Sequence, residues 1–228
     1  MQVNNIQPFT SRAWYTLWWD VWTLPGTETF RQMLEETNGG AGRGFLWVVF
    51  SGILSAVAYA VLMFAFPNIS LNSIPAANRQ MFQTFGAVGN FLCIPIASIV
   101  GAAITAGIYH GLARLFGGTG EWGRLVFCFA AIQAPTTLIA LASSMPVSIL
   151  SSSKSTLVLP VAVFSILFSL VLSVYTTALY VFALKATENI GTGKAITIIL
   201  LPGILGLVAF GCLFGGLIAT YINQLPLK

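Results

Sequence analysis

Charge is what this chain has least of. Only 7% of its 228 residues are Asp, Glu, Lys or Arg, against roughly 25% in an ordinary soluble domain, while 57% are hydrophobic. Such a chain cannot cover most of its surface for water, so its solvent must be largely lipid. Histidine occurs once, at His110, and the six acidic residues all fall outside the long apolar runs. With that inventory there is no carboxylate pair inside a span, no His-Glu-x-x-His zinc helix and no Ser/His/Asp set. The reading is therefore of a protein that is not an enzyme, with no catalytic residue, no metal site and no cofactor. Cys93, Cys128 and Cys212 lie inside apolar runs and read as small core residues rather than disulfide partners or metal ligands. The net charge of +4 comes from basic residues scattered singly, which is not the patch that phosphate binding needs, so no nucleic-acid partner is expected. The N-terminus carries tryptophans and an aspartate where a secretory signal would be short, basic and then plainly apolar, so the first membrane helix is expected to direct insertion.

What is present is apolar sequence in lengths that fit a bilayer. Five runs, near 44–66, 86–114, 124–145, 157–184 and 195–222, each reach the roughly 20 residues that a spanning helix needs. The expected fold is all-α: a polytopic membrane bundle of five transmembrane helices (44–222), preceded by interfacial amphipathic helices (1–43) and followed by a short tail (223–228). Ser11 is placed to cap a first helix in which Trp14, Trp18 and Trp22 recur at helical spacing with Leu17 and Val21. A stripe this aromatic and this short suits the membrane plane, or packs on the protein's own helices; the two are compatible. After Leu24-Pro25-Gly26 a second amphipathic piece sets Phe30, Met33 and Leu34 against Glu28, Arg31, Glu35 and Glu36.

Loops 67–85 and 146–156 alternate with turns 117–123 and 185–194, giving two sides to count. Arg12, Arg31, Arg43, Arg114, Arg124, Lys185 and Lys194 share the side of the N-terminus, and Arg79, Lys154 and Lys228 have the other. An excess of Lys and Arg marks cytoplasmic loops, so a multi-pass topology with the N-terminus inside and the C-terminus on the opposite side is expected, in the cell membrane if the host is prokaryotic. Small residues at every fourth position mark helix contacts in lipid: Gly52, Ala56 and Ala60; Gly107 and Gly111; Ser165, Ser169, Ser173 and Thr177; Gly211 and Gly215. The tripeptide Asn68-Ile69-Ser70 matches a glycosylation acceptor.

The stretch Tyr109 to Pro135 reads as the end of one span, a tight polar turn and the start of the next. His110 and Arg114 close the first helix, Gly117, Gly118 and Gly120 permit the reversal, and Trp122 and Arg124 open the second. His110 is expected at the headgroup surface, bonded to water or lipid. Gly117-Gly118-Thr119-Gly120 has no preceding strand and no Gly-Lys-Ser/Thr ending, so it is not a nucleotide-binding loop. Asn90, Thr105, Gln133, Thr136 and Thr137 are polar groups within the second and third spans. They line a path in a permease or channel for a small solute or ion, or simply bond within and between helices.

The order aromatic-His, small-Ala-Arg-Leu, Gly-Gly-x-Gly-x-aromatic and then a helix with an internal proline, as in Tyr109 to Pro135, resembles the Yip family. Trp22-Thr23-Leu24-Pro25 with Phe30, and Ala183-Leu184 followed by Lys194-Ala195, extend the likeness over roughly residues 20–210. It is similar to the short prokaryotic-type members. The resemblance implies five spans, a cytoplasmic N-terminus and a non-enzymatic role in organising membranes or protein partners, as in the traffic role of relatives that bind Ypt/Rab GTPases. Two departures weigh against a Rab-type GTPase partner here: these 228 residues carry no long acidic tail, and Asp20 to Pro25 echo the family's Asp-Leu-Tyr-Gly-Pro element imperfectly. The partners implied are the lipid bilayer, other membrane proteins or a second copy of the chain.

Overall fold

In this computed structural model, residues 13–37, 39–65, 76–152, 156–206 and 208 are described. They form α1 (Trp14–Thr23), α2 (Thr27–Thr37), α3 (Ala41–Ala65), α4 (Ala76–Leu115), α5 (Trp122–Ser152) and α6 (Val158–Glu188), followed by α7 (Thr192–Gly206). No strand occurs among the described residues. Four of the helices are long and apolar enough to cross a membrane, and α7 is a shorter apolar helix. The later part of the fifth predicted run, Ser11, the Asn68-Ile69-Ser70 tripeptide, Cys212 and the Gly211/Gly215 pair lie outside the described residues.

The helices overrun the hydropathy boundaries. α4 begins at Ala76, inside the expected 67–85 loop, and reaches 40 residues, roughly 60 Å at 1.5 Å per residue. α5 continues through the expected 146–156 loop to Ser152. Serine hydroxyls explain the second extension: Ser148 donates to the Ser144 carbonyl at 3.2 Å and Ser151 to that of Ser148 at 2.8 Å. They satisfy the helix from within, although their polarity ends the apolar signal.

α5 is the hub, touching α1, α2, α3, α4 and α6. From Leu125 to Ile132 every residue is buried, so this part of the helix is enclosed on all sides. α3 reaches α4 through Gly52, where an added Cβ would stand 3.1 Å from Cα of Pro95. The predicted Gly52/Ala56 contact face therefore meets a helix of the same chain. Gly107 and Gly111 are different: a Cβ at either would meet nothing within 4 Å among the described residues.

α1 and α2 lie against the flank of the bundle. Leu17, Trp18 and Val21 face inward, with Trp18 edge-on to Trp47 at 5.9 Å, while Trp14 is exposed and meets the equally exposed Phe50 at 5.8 Å. Trp22 meets the ring of Tyr175 at 5.4 Å, and the Tyr175 hydroxyl donates to the Trp22 carbonyl. The outward face belongs to Tyr15 and Trp19, 60% and 70% exposed. Phe30, Met33 and Leu34 of α2 are buried, opposite exposed Glu28, Arg31 and Glu35. On α6, exposed apolar side chains run from Leu159 to Val174, and Tyr175, where the α1 contact begins, ends that lipid-like surface. Of the cysteines expected in the core, Cys128 is buried and Cys93 is exposed, because position 93 falls on the outward face of α4.

Substitution should separate the two glycine classes. Gly52→Leu forces α3 off the Pro95 backbone and should cost about 1–3 kcal/mol, whereas Gly107→Ala should be neutral or stabilise by up to about 1 kcal/mol. Thermal unfolding in detergent followed by size-exclusion chromatography measures both.

Candidate interaction site at the glycine turn

α4 ends where the sequence allows a left-handed residue. Gly117 has φ +85°, its N–H donates to the Arg114 carbonyl at 3.1 Å, and the Gly118 N–H donates to the Ala113 carbonyl at 2.8 Å. This pair of bonds is a Schellman cap, which closes the helix and turns the chain back. α6 ends comparably: Asn189 adopts φ 53°, a region Asn tolerates better than most side chains.

Glu188, the last residue of α6, ties the two ends together. Its side chain is wholly buried, and its backbone carbonyl accepts the Thr119 N–H at 3.1 Å. Oε2 accepts the Gly120 N–H at 3.0 Å, and Oε1 lies 2.7 Å from Nδ1 of His110. With Nδ1 as the protonated ring nitrogen, both carboxylate oxygens are satisfied, as a buried charge requires. The approach leaves no room for side chains on the turn. A Cβ at Gly118 would stand 2.9 Å from Oε2 of Glu188, and one at Gly120 would overlap the Thr187 carbonyl. Two basic residues brace the same backbone: Arg114 donates to the Gly120 carbonyl at 2.7 Å, and Lys194 of α7 to the Phe116 carbonyl at 2.9 Å.

The predicted turn residues thus divide. His110, Arg114, Gly117, Gly118 and Gly120 come together on Glu188 or on the backbone beside it. His110 meets a carboxylate in place of the expected water or headgroup, and its side chain stays 20% exposed. Trp122 stacks on Phe45 at 6.2 Å and Arg124 pairs with Glu121 at 3.3 Å, both facing outward. Pro135 lies farther along α5, away from the turn. The polar residues of the spans do not share one face. The Asn90 amide contacts the Met63 sulfur at 3.9 Å and Thr105 is exposed, whereas Gln133, Thr136 and Thr137 line a cleft between α3, α4, α5 and α6. Sequence reasoning missed Glu188 by treating it as one more loop acid. The available signal was its position: a carboxylate at a helix C-terminus opposes the macrodipole and needs a tertiary partner. No group of three or more His, Cys, Asp or Glu suited to a metal occurs among the described residues.

Long apolar helices around a central span, with the ionisable residues gathered where helices end, define a polytopic membrane protein whose polar surfaces lie outside the spans. The model for the Yip1 domain matches residues 19–213, most of the chain, and the protein belongs to that family. Comparison with curated proteins and with solved structures gave no match.

His110→Ala removes the partner that faces Oε1 and leaves a buried carboxylate half satisfied. The expected loss is about 3 kcal/mol, with part of it recovered in the His110→Ala/Glu188→Gln double variant, where no charge remains to be compensated. Gly120→Ala should destabilise by a similar amount through overlap with Thr187, on the order of 3 kcal/mol. Unfolding midpoints of the four proteins in one detergent decide both points.

Proposed function

We propose that this protein is a non-enzymatic membrane organiser, which gathers protein partners or shapes the bilayer from its cytoplasmic face. The observation that carries this reading is the braced turn. Buried Glu188 fixes the ends of α4, α5 and α6 into one surface, and around it Arg114, Leu115, Glu121, Arg124 and Lys194 are exposed. Leu115 is 82% exposed, an apolar contact point within a charged surround, which is the composition of a recognition patch rather than of a reaction site.

The excess of basic residues at this end supports a cytoplasmic placement, with the N-terminus inside and, after five spans, the C-terminus outside. Exposed Arg and Lys favour anionic headgroups by about 1 kcal/mol each. Tyr15 and Trp19 on the outer face of α1 suit the headgroup level, which deepens the interfacial reading of that helix while moving it off the buried Trp18 stripe. Partners would be other membrane proteins or a second copy; nothing on this surface favours a Rab-type GTPase. A permease reading finds support in the face of Gln133, Thr136 and Thr137, but every residue of the turn-side half of α5 from Leu125 to Ile132 is buried, which does not suit a path through the bundle.

The test is in-membrane crosslinking with affinity capture, comparing the native chain with a Leu115→Asp/Arg124→Ala variant. Both positions are exposed, so the variant should fold. A defined partner, or a self-dimer, held by the native chain and reduced at least tenfold in the variant is the expected result. Identical capture from both, or solute flux through liposomes containing the purified protein, would overturn the proposal.

A further inference from the structure

Away from the turn, a cleft of about 630 Å³ lies between α3, α4, α5 and α6. Its α5 wall is one helical face: Gln133, Thr136, Thr137, Ala140, Leu141 and Ser144 follow the spacing i, i+3, i+4, i+7, i+8, i+11. Gln133 lies eleven residues beyond Trp122, roughly 16 Å along the axis, and Ser144 as far again. The cleft therefore starts at mid-span, on Gln133 and Tyr180, and runs toward the end remote from the turn.

The Ser and Thr side chains of the wall are polar in one sense only. Thr136 donates to the Ile132 carbonyl at 2.6 Å, Thr137 to Gln133 at 2.9 Å, Ser143 to Ala140 at 2.8 Å and Ser144 to Leu141 at 2.9 Å. On the facing helices, Ser55 donates to the Ser51 carbonyl at 2.8 Å and Ser169 to that of Ser165 at 2.7 Å. Ser165 donates across the helix interface to the Ser143 carbonyl at 3.1 Å. A hydroxyl has one proton, and each of these is already given to a carbonyl. Lone pairs are what remain for the cleft. The side-chain amide of Gln133 and the hydroxyl of Tyr180 line it without a hydrogen-bond partner among the described residues. No Asp, Glu, Lys, Arg or His lines the cleft, and Ile94, Ala140 and Leu141 make part of its wall apolar.

We propose that this cleft binds a neutral amphiphile with a hydroxyl head and a hydrocarbon chain, of the acylglycerol class. A carboxylate or phosphate head would face the Ser and Thr acceptor oxygens, with only the neutral donors of Gln133, Tyr59 and Tyr180 and no cation to offset its charge; an ammonium head would find no anion. A hydroxyl head donates to the Ser and Thr oxygens and accepts from the Gln133 amide, and the chain lies along the apolar wall toward the bilayer. The site is separate from the turn and stands whether or not that surface binds a partner.

The experiment uses the full chain in phosphatidylcholine nanodiscs with a photoactivatable monoacylglycerol, and with the matching photoactivatable fatty acid and phosphatidic acid as comparators; labelled residues are mapped by mass spectrometry. Monoacylglycerol should label the cleft residues of α5 and α6, and unlabelled monoacylglycerol should displace it. Labelling should fall about fivefold or more in Gln133→Leu, the loss expected for one hydrogen bond. It should vanish in Ala140→Phe, which fills the cleft, and persist in Val174→Phe on the lipid-facing side of α6. Labelling that is spread evenly over the apolar surfaces, is not displaced, or is equally strong with the fatty acid overturns the proposal. If Ala140→Phe does not fold, Gln133→Leu decides: undiminished labelling in that folded variant overturns it.

Discussion

The structure at the turn depends on one constraint, the burial of the Glu188 carboxylate. An ionised carboxylate cut off from water is tolerable only when each oxygen has a donor, since the uncompensated desolvation cost is several kcal/mol. Here the donors are His110 and the Gly120 N–H, and each fixes something further. For the Gly120 N–H to reach Oε2, the turn must approach the end of α6 closely enough that Gly118 and Gly120 can carry no Cβ. For the turn to reverse so tightly, Gly117 must take a positive φ and complete the cap on α4. For α6 to stop with Glu188 in place, Asn189 must leave the right-handed region. A single polar group thereby specifies the conformation of four surrounding backbone positions.

The remainder of the bundle is organised by a different rule along α5. Its turn-side half is surrounded by large apolar side chains, with the rings of Trp47, Tyr109 and Tyr180 packed on its own Phe127 and Phe129. Its remote half carries Thr and Ser on the cleft face. In lipid no hydrophobic effect pulls helices together, so close contact comes from dispersion and from small residues that let backbones approach. Gly52 against Pro95 is such a contact, and it lies between α3 and α4. Hydroxyls contribute little across helices here, because most donate to their own helix; Ser165 to Ser143 is the exception among the described serines of the cleft.

The spans were legible because hydropathy reports lipid exposure over many residues, and errors at single positions average out. Helix ends were not, because a serine that bonds its own backbone is polar to a hydropathy scale and compatible with helix all the same, as at Ser148 and Ser151. The turn residues were legible as a motif, since glycines between two helix ends imply a reversal. Their common partner was not, because His110 and Glu188 are 78 positions apart and no local period links them. The tryptophan stripe was legible as a face of α1. Which solvent it met was undecided, since an aromatic stripe suits a headgroup layer and a protein core equally well, and Trp47 of α3 supplied the core for Trp18. Among the described residues nothing would meet a Cβ at Gly107 or Gly111: four-residue spacing permits a contact and does not name its partner.

Glu188 also shows where a local rule gives way. The C-terminal end of a helix carries roughly half a negative charge, so an acid in the last turn is disfavoured by about 0.3–1 kcal/mol when judged on its own helix. Arg114 stands in the opposite case, in the last turn of α4 where a cation is favoured, and His110 one turn earlier on the same helix faces Oε1 of Glu188. Bringing the two helix ends together lets the favourable site answer the unfavourable one, and the N–H groups of the turn add positive poles that α6 itself lacks at that end. The misplaced acid is stable only if α4, the turn and α6 assume this relative position. Its local cost is therefore what makes it specific, because an arrangement that moved α6 out of register would leave a buried carboxylate against carbonyl dipoles with nothing to balance it. The same reasoning accounts for the site's location: at mid-span each of these groups would cost a few kcal/mol more, whereas at the helix ends free backbone N–H groups are already present to receive them.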